Sequence, residues 1–273
     1  MKSQVSKNIK KIIDKLPDAP GVYLFKVKNK ILYIGKATSL RDRVRSYMSS
    51  RVLDNRGPLI EKMLRVFTDI DFIKTDSVLE ALILEAHLIK RYQPEANIKE
   101  KDNKSFNFVV ITKENFPCVL IMRGRELLKI KNFKFKIAKQ FGPFPNGSQL
   151  KEAMKIVRKM FPFRDKRIPC ILQCESAICR PCFNRQIGLC PGVCTGEMSQ
   201  EDYAKQIKNI ILFFEGNKKR LVKNIEKQMK SFAKSREFEK ANLAKRTLFS
   251  LNHIQDISLI KEDVSKTVFD TGF

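Results

Sequence analysis

The sequence predicts an α+β protein: an N-terminal domain with a small antiparallel sheet, a β-containing connector, a cysteine-rich segment and a helical hairpin. Three observations carry this. Gly21-Val22-Tyr23-Leu24-Phe25 and Ile31-Leu32-Tyr33-Ile34-Gly35, rich in β-branched and aromatic residues, flank the polar turn Lys28-Asn29-Lys30, which is the pattern of a β-hairpin. Ser77 and Glu80 form a Ser-x-x-Glu capping box ahead of an apolar run that continues to Tyr92 and stops before Pro94. From Glu201 to Ile254 the pattern is helical, and Val264 to Phe273 show no clear pattern.

Taken in order, residues 1–16 read as a short basic amphipathic helix with Ile9, Ile12, Ile13 and Leu16 as its stripe, broken at Asp18-Ala19-Pro20-Gly21. After the hairpin, Thr38 to Met48 reads as a helix with Leu40, Val44 and Tyr47 on one side. Pro58 to Val66 reads as another helix, and Asp71-Phe72-Ile73 as a third strand. Three strand-like runs follow: Phe106 to Ile111, Val119 to Met122, and Phe133 to Ile137, closed by Gly142-Pro143-Phe144-Pro145. A helix from Gln149 to Met160 leads into the cysteines; then come helices at Glu201 to Phe214, Lys218 to Lys234 and Phe238 to Ile254, the last two an αα-hairpin. The expected division is 1–98, a connector at 99–165, a cysteine-rich segment at 166–200 and a helical region at 201–260.

The 273 residues carry 54 Lys plus Arg against 29 Asp plus Glu, a formal charge of +25. Such a field favours a polyanionic partner, because each Lys or Arg set against a phosphate releases a condensed counterion. No run of about 18 apolar residues is present, so no membrane span is expected. The Lys-rich start lacks the apolar core of a secretory signal, and the expected compartment is the cytoplasm. There, six of seven cysteines between Cys170 and Cys194 point to a metal or cluster rather than to disulfides.

Glu85 is the most informative residue. Its one-turn neighbours Ala81, Leu82, Leu88 and Ile89 are all apolar, so a helix places it in the middle of the buried face. A buried carboxylate needs compensation. A Lys or Arg partner would supply it, and so would a divalent cation, Mg²⁺ or Mn²⁺. Tyr23 and Tyr33, one per strand, Lys36 after the second strand and Arg43 on the next helix add phenols and cations that suit phosphodiester cleavage.

Gly21-Val22-Tyr23 followed by Tyr33-Ile34-Gly35 resembles the motif of the GIY-YIG nucleases, with Val in the middle position. The continuation Lys36-Ala37, Leu40, Arg43, Val44, Ser46-Tyr47, then Leu82 to Lys90, Pro94, Asn97, Lys104-Ser105 and Phe141-Gly142-Pro143 is similar to the UvrC family of the bacterial UvrABC excinuclease. This resemblance implies an endonuclease making the 3′-side single-strand incision of nucleotide excision repair on damaged double-stranded DNA. It implies Glu85 as metal ligand, Tyr23 as general base, and Tyr33, Lys36, Arg43, Tyr47 and Asn97 completing the site. Members of that family continue into an RNase H-like nuclease domain and helix-hairpin-helix motifs. Nothing here resembles either, so an N-terminal portion or a short homologue is expected, without the 5′-side incision.

The cysteine spacings, C-x3-C, C-x4-C, C-x2-C, C-x7-C and C-x3-C, suit a thiolate site for zinc or an iron–sulfur cluster. Arg180-Pro181-Cys182, Gln186-Ile187-Gly188, Cys190 and Cys194 resemble the UvrC cysteine region, which implies a [4Fe–4S] cluster with zinc as the alternative. Cys182, Cys190 and Cys194 carry over as ligands; the fourth is open among Cys170, Cys174 and Cys179, with Cys174 adopted. Cys118, in a strand-like run, reads as core.

Residues 218–236 hold eight basic residues against one Glu, a solvated face or a contact for phosphate or protein. Ser235-Arg236-Glu237-Phe238-Glu239-Lys240-Ala241 resembles the UVR motif, which implies docking to UvrB, with Phe232, Phe238, Ala241 and Leu248 on the apolar side. Lys245 and Arg246 depart from the family pattern, the latter reversing a usual Asp. Two other readings remain: a non-catalytic DNA-binding adaptor with a structural metal, and a mobile-element GIY-YIG nuclease. The set Tyr23, Tyr33, Arg43 and Glu85 speaks against the first; the cysteine region and the UVR-like tail speak against the second.

Overall fold

The computed structural model describes residues 12–48, 58–98, 106–129, 136–165 and 181–253. Among them two compact units are distinguished: 1–107 with 142–147, and 108–141 with 148–254.

The first unit is built on β1 (Gly21–Val27), β2 (Lys30–Ala37) and β3 (Asp69–Lys74), an antiparallel sheet in the order β2-β1-β3. The register sets Tyr23 against Gly35 and Phe25 against Tyr33, with an irregularity between Phe25 and Lys26. Successive apolar residues in β1 are explained by cover on both faces. Side chains alternate along a strand, so Tyr23 and Phe25 join Leu40, Val44, Tyr47, Ile60, Met63 and Phe67 on one side. Val22, Leu24 and Ile34 join Ala81 and Ile89 on the other.

Helix α1 spans Leu40–Ser46, shorter than the expected 38–48, because Ser39 takes the N-cap and accepts from the Asp42 N–H. Helix α2 (Pro58–Val66) begins on proline, where the missing N–H costs nothing. Helix α3 (Val78–Tyr92) has Ser77 as its N-cap and stops at Gln93, which adopts φ 46° before Pro94. The Ser77 hydroxyl accepts from the Glu80 N–H as expected, whereas the Glu80 carboxylate reaches back to the Asp76 N–H rather than to that of Ser77. A short turn of helix, α4 (Glu95–Ile98), follows.

A second sheet, most of whose residues fall in the second unit, holds β4 (Asn107–Thr112), β5 (Val119–Arg123) and β6 (Ile137–Phe144) in the order β5-β4-β6. β6 differs from its expected position. It runs on through Gly142-Pro143-Phe144, the segment read as its closing turn, while residues 133–135 lie outside the described set. β6 is an edge strand, where a proline without an N–H is tolerated, and Phe141 and Phe144 are buried. Helices α5 (Gly124–Leu128), α6 (Gly147–Met160), α7 (Phe183–Gln186) and α8 (Gln200–Phe214) follow. Helices α9 (Lys218–Lys234) and α10 (Phe238–Asn252) pack as an antiparallel hairpin, and α9 also packs on α8. Residues 1–11, with Ile9, and Cys170, Cys174 and Cys179 lie outside the described residues. Among the described residues no helix is long and apolar enough to cross a membrane.

Candidate active site

The site forms in the first unit, at the outer edge of β2. That edge would expose free backbone groups, and two side chains from later in the chain occupy it. The Lys36 N–H donates to Glu85 Oε1 at 2.9 Å. The Ile34 N–H donates to Asn97 Oδ1 and the Ile34 carbonyl accepts from Asn97 Nδ2, each at 2.8 Å. Glu85 is 8% exposed and flanked by buried Ala81, Leu82 and Ile89, the placement that the helical period predicts. Its carboxylate is thus anchored to a strand 49 residues earlier in the chain.

Three phenols gather beside this edge. The hydroxyls of Tyr23 and Tyr47 are 2.7 Å apart, and the rings of Tyr23, Tyr33 and Tyr47 lie with centroids 5.8 to 6.4 Å apart. Gly35 makes the arrangement possible. A Cβ there would stand 2.3 Å from the Tyr23 hydroxyl and 2.4 Å from Cζ, so only glycine leaves room for the ring of its cross-strand partner. Gly21 is confined likewise, with a Cβ placed 2.4 Å from the Ile73 carbonyl.

Arg43 lies against the phenols, its guanidinium 5.9 Å from the Tyr47 ring centre. The electron-rich oxygens of Tyr23 and Tyr47 hold it protonated against the opposing effect of burial. Its Nε is buried without a hydrogen-bond partner among the described residues, leaving a donor for an incoming anion. Burial, then Tyr47, pushes the Tyr23 hydroxyl well above its ordinary range, and Arg43 pulls it back. Burial, then Tyr47, Tyr23 and Glu85, does the same to Tyr33. The structure therefore gathers Tyr23, Tyr33, Arg43 and Tyr47 in one cluster, with Glu85 close enough to act on Tyr33. Lys36 is buried and contributes its backbone N–H. Asn97 is buried with both amide atoms engaged by Ile34, so it holds the strand edge.

The donor set fits a divalent cation of the Mg²⁺ type. Such an ion takes one or two carboxylates and keeps several water or phosphate ligands, and Glu85 is a carboxylate fixed at a site rich in hydroxyls. Among the described residues no group of three His, Cys, Asp or Glu side chains forms an all-protein cage.

The family described as the UvrC-like GIY-YIG domain matches residues 19–98, and the UvrC/Cho excinuclease middle domain matches residues 106–213. The chain belongs to the UvrC family. It is similar to UvrABC system protein C of Alkaliphilus metalliredigens, 41% identical over 238 residues that cover 86% of this chain and 36% of that protein. The counterpart in Acetivibrio thermocellus is 36% identical over 268 residues, covering 96% of this chain and 41% of that protein. This UvrC-family chain thus spans about two fifths of the length of these relatives. Among solved structures, the N-terminal GIY-YIG endonuclease domain of UvrC from Thermotoga maritima, described as bound to its catalytic magnesium, is 37% identical; the match covers 34% of this chain and 98% of that one, with a TM-score of 0.30.

In the second unit of this UvrC-family chain, Cys182, Cys190 and Cys194 are free thiols around a stitched turn. The N–H groups of Leu189 and Cys190 both donate to the Asn184 carbonyl, and Arg185 pairs with Glu197. Burial pushes the Cys190 thiol up, Gly192 opposes this, and Cys182 and Cys194 add to it, so the three sulfurs feel one another. They are not gathered within reach of a single ion.

Sequence reasoning passed over Arg158. It donates to the carbonyls of Leu189 and Phe163 and pairs with Asp165, which also receives the Asn184 amide. An arginine on the polar side of an amphipathic helix gives no local sign of such a role. Cys118 is fully buried in the core, as expected, and burial pushes its thiol up to about 12.

The hairpin divides its expected apolar residues. Phe232, Ala241 and Leu248 are partly covered, but Phe238 is 68% exposed, as are Leu243 at 61% and Phe249 at 65%. The inward row of α10 runs through 241, 244, 248 and 251, and Phe238 on the first turn falls off that row.

Proposed function

We propose that this chain is a divalent-cation-dependent DNA endonuclease that makes the 3′-side single-strand incision of excision repair, acting on damaged duplex DNA presented by UvrB. The carrying observation is the buried Glu85 carboxylate, tied to the Lys36 backbone beside the Tyr23, Tyr33, Tyr47 and Arg43 cluster. Bound by Glu85, Mg²⁺ or Mn²⁺ would polarise the scissile phosphate and offset its developing charge. Arg43, with its Nε unpartnered among the described residues, would bind a phosphate oxygen and stabilise the same charge. Tyr23 is the proposed general base. Its hydroxyl already shares a hydrogen bond with Tyr47, and Arg43 eases loss of its proton where burial resists it. Tyr33 and the Lys36 side chain are assigned to orienting water and phosphate. Asn97 acts indirectly, by fixing the β2 edge that carries Tyr33, Gly35 and Lys36.

The αα-hairpin of α9 and α10, with Phe238 and Phe249 exposed, supports the reading of a UVR-type docking element for UvrB. For the cysteine segment we propose a [4Fe–4S] cluster held by Cys182, Cys190, Cys194 and Cys174. Iron content and a visible absorption band test it against stoichiometric zinc.

The test of the main reading is a nicking assay on lesion-bearing duplex with UvrB and Mg²⁺ or Mn²⁺. Glu85→Gln keeps an oxygen for the Lys36 N–H and removes the charge, so it is expected to abolish nicking while leaving the fold intact. Full activity in Glu85→Gln overturns the assignment.

A further inference from the structure

Helix α9 carries a feature that the nuclease site does not use. Lys219, Lys223, Lys227, Lys230 and Lys234 are spaced 4-4-3-4 and are all exposed, with exposed Arg220 beside the first. At 100° per residue the five fall within one stripe, and at 1.5 Å per residue it is about 22 Å long. The helix's only acid, Glu226, is also exposed, and none of the five lysines forms an ion pair among the described residues. The opposite face is committed: Leu221 and Ile225 are 1% and 2% exposed, where α9 packs on α8 and α10.

We infer that the lysine stripe of α9 is a docking face for the phosphate backbone of duplex DNA, separate from the catalytic edge of β2. A row of like charges on a rigid helix is self-repelling. A duplex offers one negative charge per about 1.7 Å of axis, so a straight row of cations meets phosphates along its length. The residue type agrees. Lysines are flexible point charges suited to sequence-independent phosphate contact, whereas recognition of carboxylates in an acidic protein favours the arginine fork. A lipid surface is disfavoured because the apolar face of α9 is already buried and has nothing to insert. On the hairpin, the lysines of α9 and the exposed aromatic residues of α10 occupy different helices, which leaves the latter for a protein partner.

The test measures binding of the full chain to an undamaged duplex of about 30 base pairs by fluorescence anisotropy, in EDTA, across a range of KCl. Without a cation no cleavage occurs, so the outcome is independent of the Glu85 reading. Three variants are compared with the parent: the five lysines changed to Gln, the same five changed to Arg, and a dispersed set (K62Q, K74Q, K90Q, K129Q, K159Q) with an equal loss of charge. Each phosphate contact contributes about 0.9 to the slope of log K against log salt. With all five lysines on phosphates, the stripe-to-Gln chain is expected to lose about 4.5 in slope and at least ~100-fold in affinity near 0.1 M salt. The Arg set should stay within about threefold of the parent, and the dispersed set within about tenfold. If the stripe-to-Gln chain binds no worse than the dispersed set, the stripe is a solvated face or a protein contact, and the inference falls. An equal loss in the Arg set also overturns it, since charge would then not be the cause. All the substituted positions are exposed, so unchanged circular dichroism is expected throughout.

Discussion

Replacing Gly35 by alanine tests the packing on which the candidate active site rests. The added methyl would sit 2.3 Å from the Tyr23 hydroxyl and 2.4 Å from Cζ, about 1 Å inside ordinary contact. Tyr23 cannot swing away freely. It is 1% exposed, its ring packs edge-on against Phe25 and Tyr47, and its hydroxyl is bonded to that of Tyr47. Overpacking of this kind costs about 1–3 kcal/mol. Pulling the Tyr23 and Tyr47 hydroxyls apart while both stay buried adds about 1–3 kcal/mol. The expected loss is therefore about 2–6 kcal/mol, measured by urea unfolding with far-UV circular dichroism, since the chain has no Trp. Nicking should fall by about 100-fold or more, because a shift near 1 Å misplaces the proposed base. A companion variant isolates the cause: Gly35→Ala with Tyr23→Ala should be less destabilised than the two single changes summed, since truncating Tyr23 removes the clash. A Gly35→Ala chain within about 0.5 kcal/mol of the parent, the scatter of surface changes, refutes the packing argument.

Asn97→Ala leaves the N–H and carbonyl of Ile34 without their partner and should cost about 2–3 kcal/mol. Rapid hydrogen exchange at the Ile34 amide is the readout, and unaltered protection would count against that role. At pH 8 an alkylating reagent should modify Cys182 well before Cys118, whose buried thiol is pushed up to about 12, and mass spectrometry of the labelled chain decides it. The phenols of buried Tyr23 and Tyr203 and of half-buried Tyr33 hold their protons above the ordinary range, chiefly through burial. Unfolded tyrosines ionise near pH 10, so the unfolded state loses these protons first. The stability they contribute is complete below about pH 10 and is lost as pH rises above it. A midpoint temperature that stays flat from pH 9 to 11 would contradict this.

The sequence by itself determined the parts that depend on neighbours a few residues apart. The burial of Glu85 followed from the 3.6-residue period of α3, and the start of that helix from Ser77. The Tyr23 and Tyr33 hairpin followed from two β-rich runs around a polar turn, and the core position of Cys118 from the strand-like run it borders. Tertiary structure alone decided what meets across long loops. Asn97 reaches Ile34 63 residues away, and Arg158 joins Leu189 31 residues away. The exact pairing of Gly35 with Tyr23 needed the strand register, and the outward turn of Phe238 needed the packing of α9 on α10. Periodicity and capping are local hydrogen-bond and side-chain preferences, written within one or two turns of chain. A register or a side chain bonded to a distant strand is chosen by which arrangement buries the most apolar surface while leaving the fewest polar groups unpaired, and only the folded chain makes that choice.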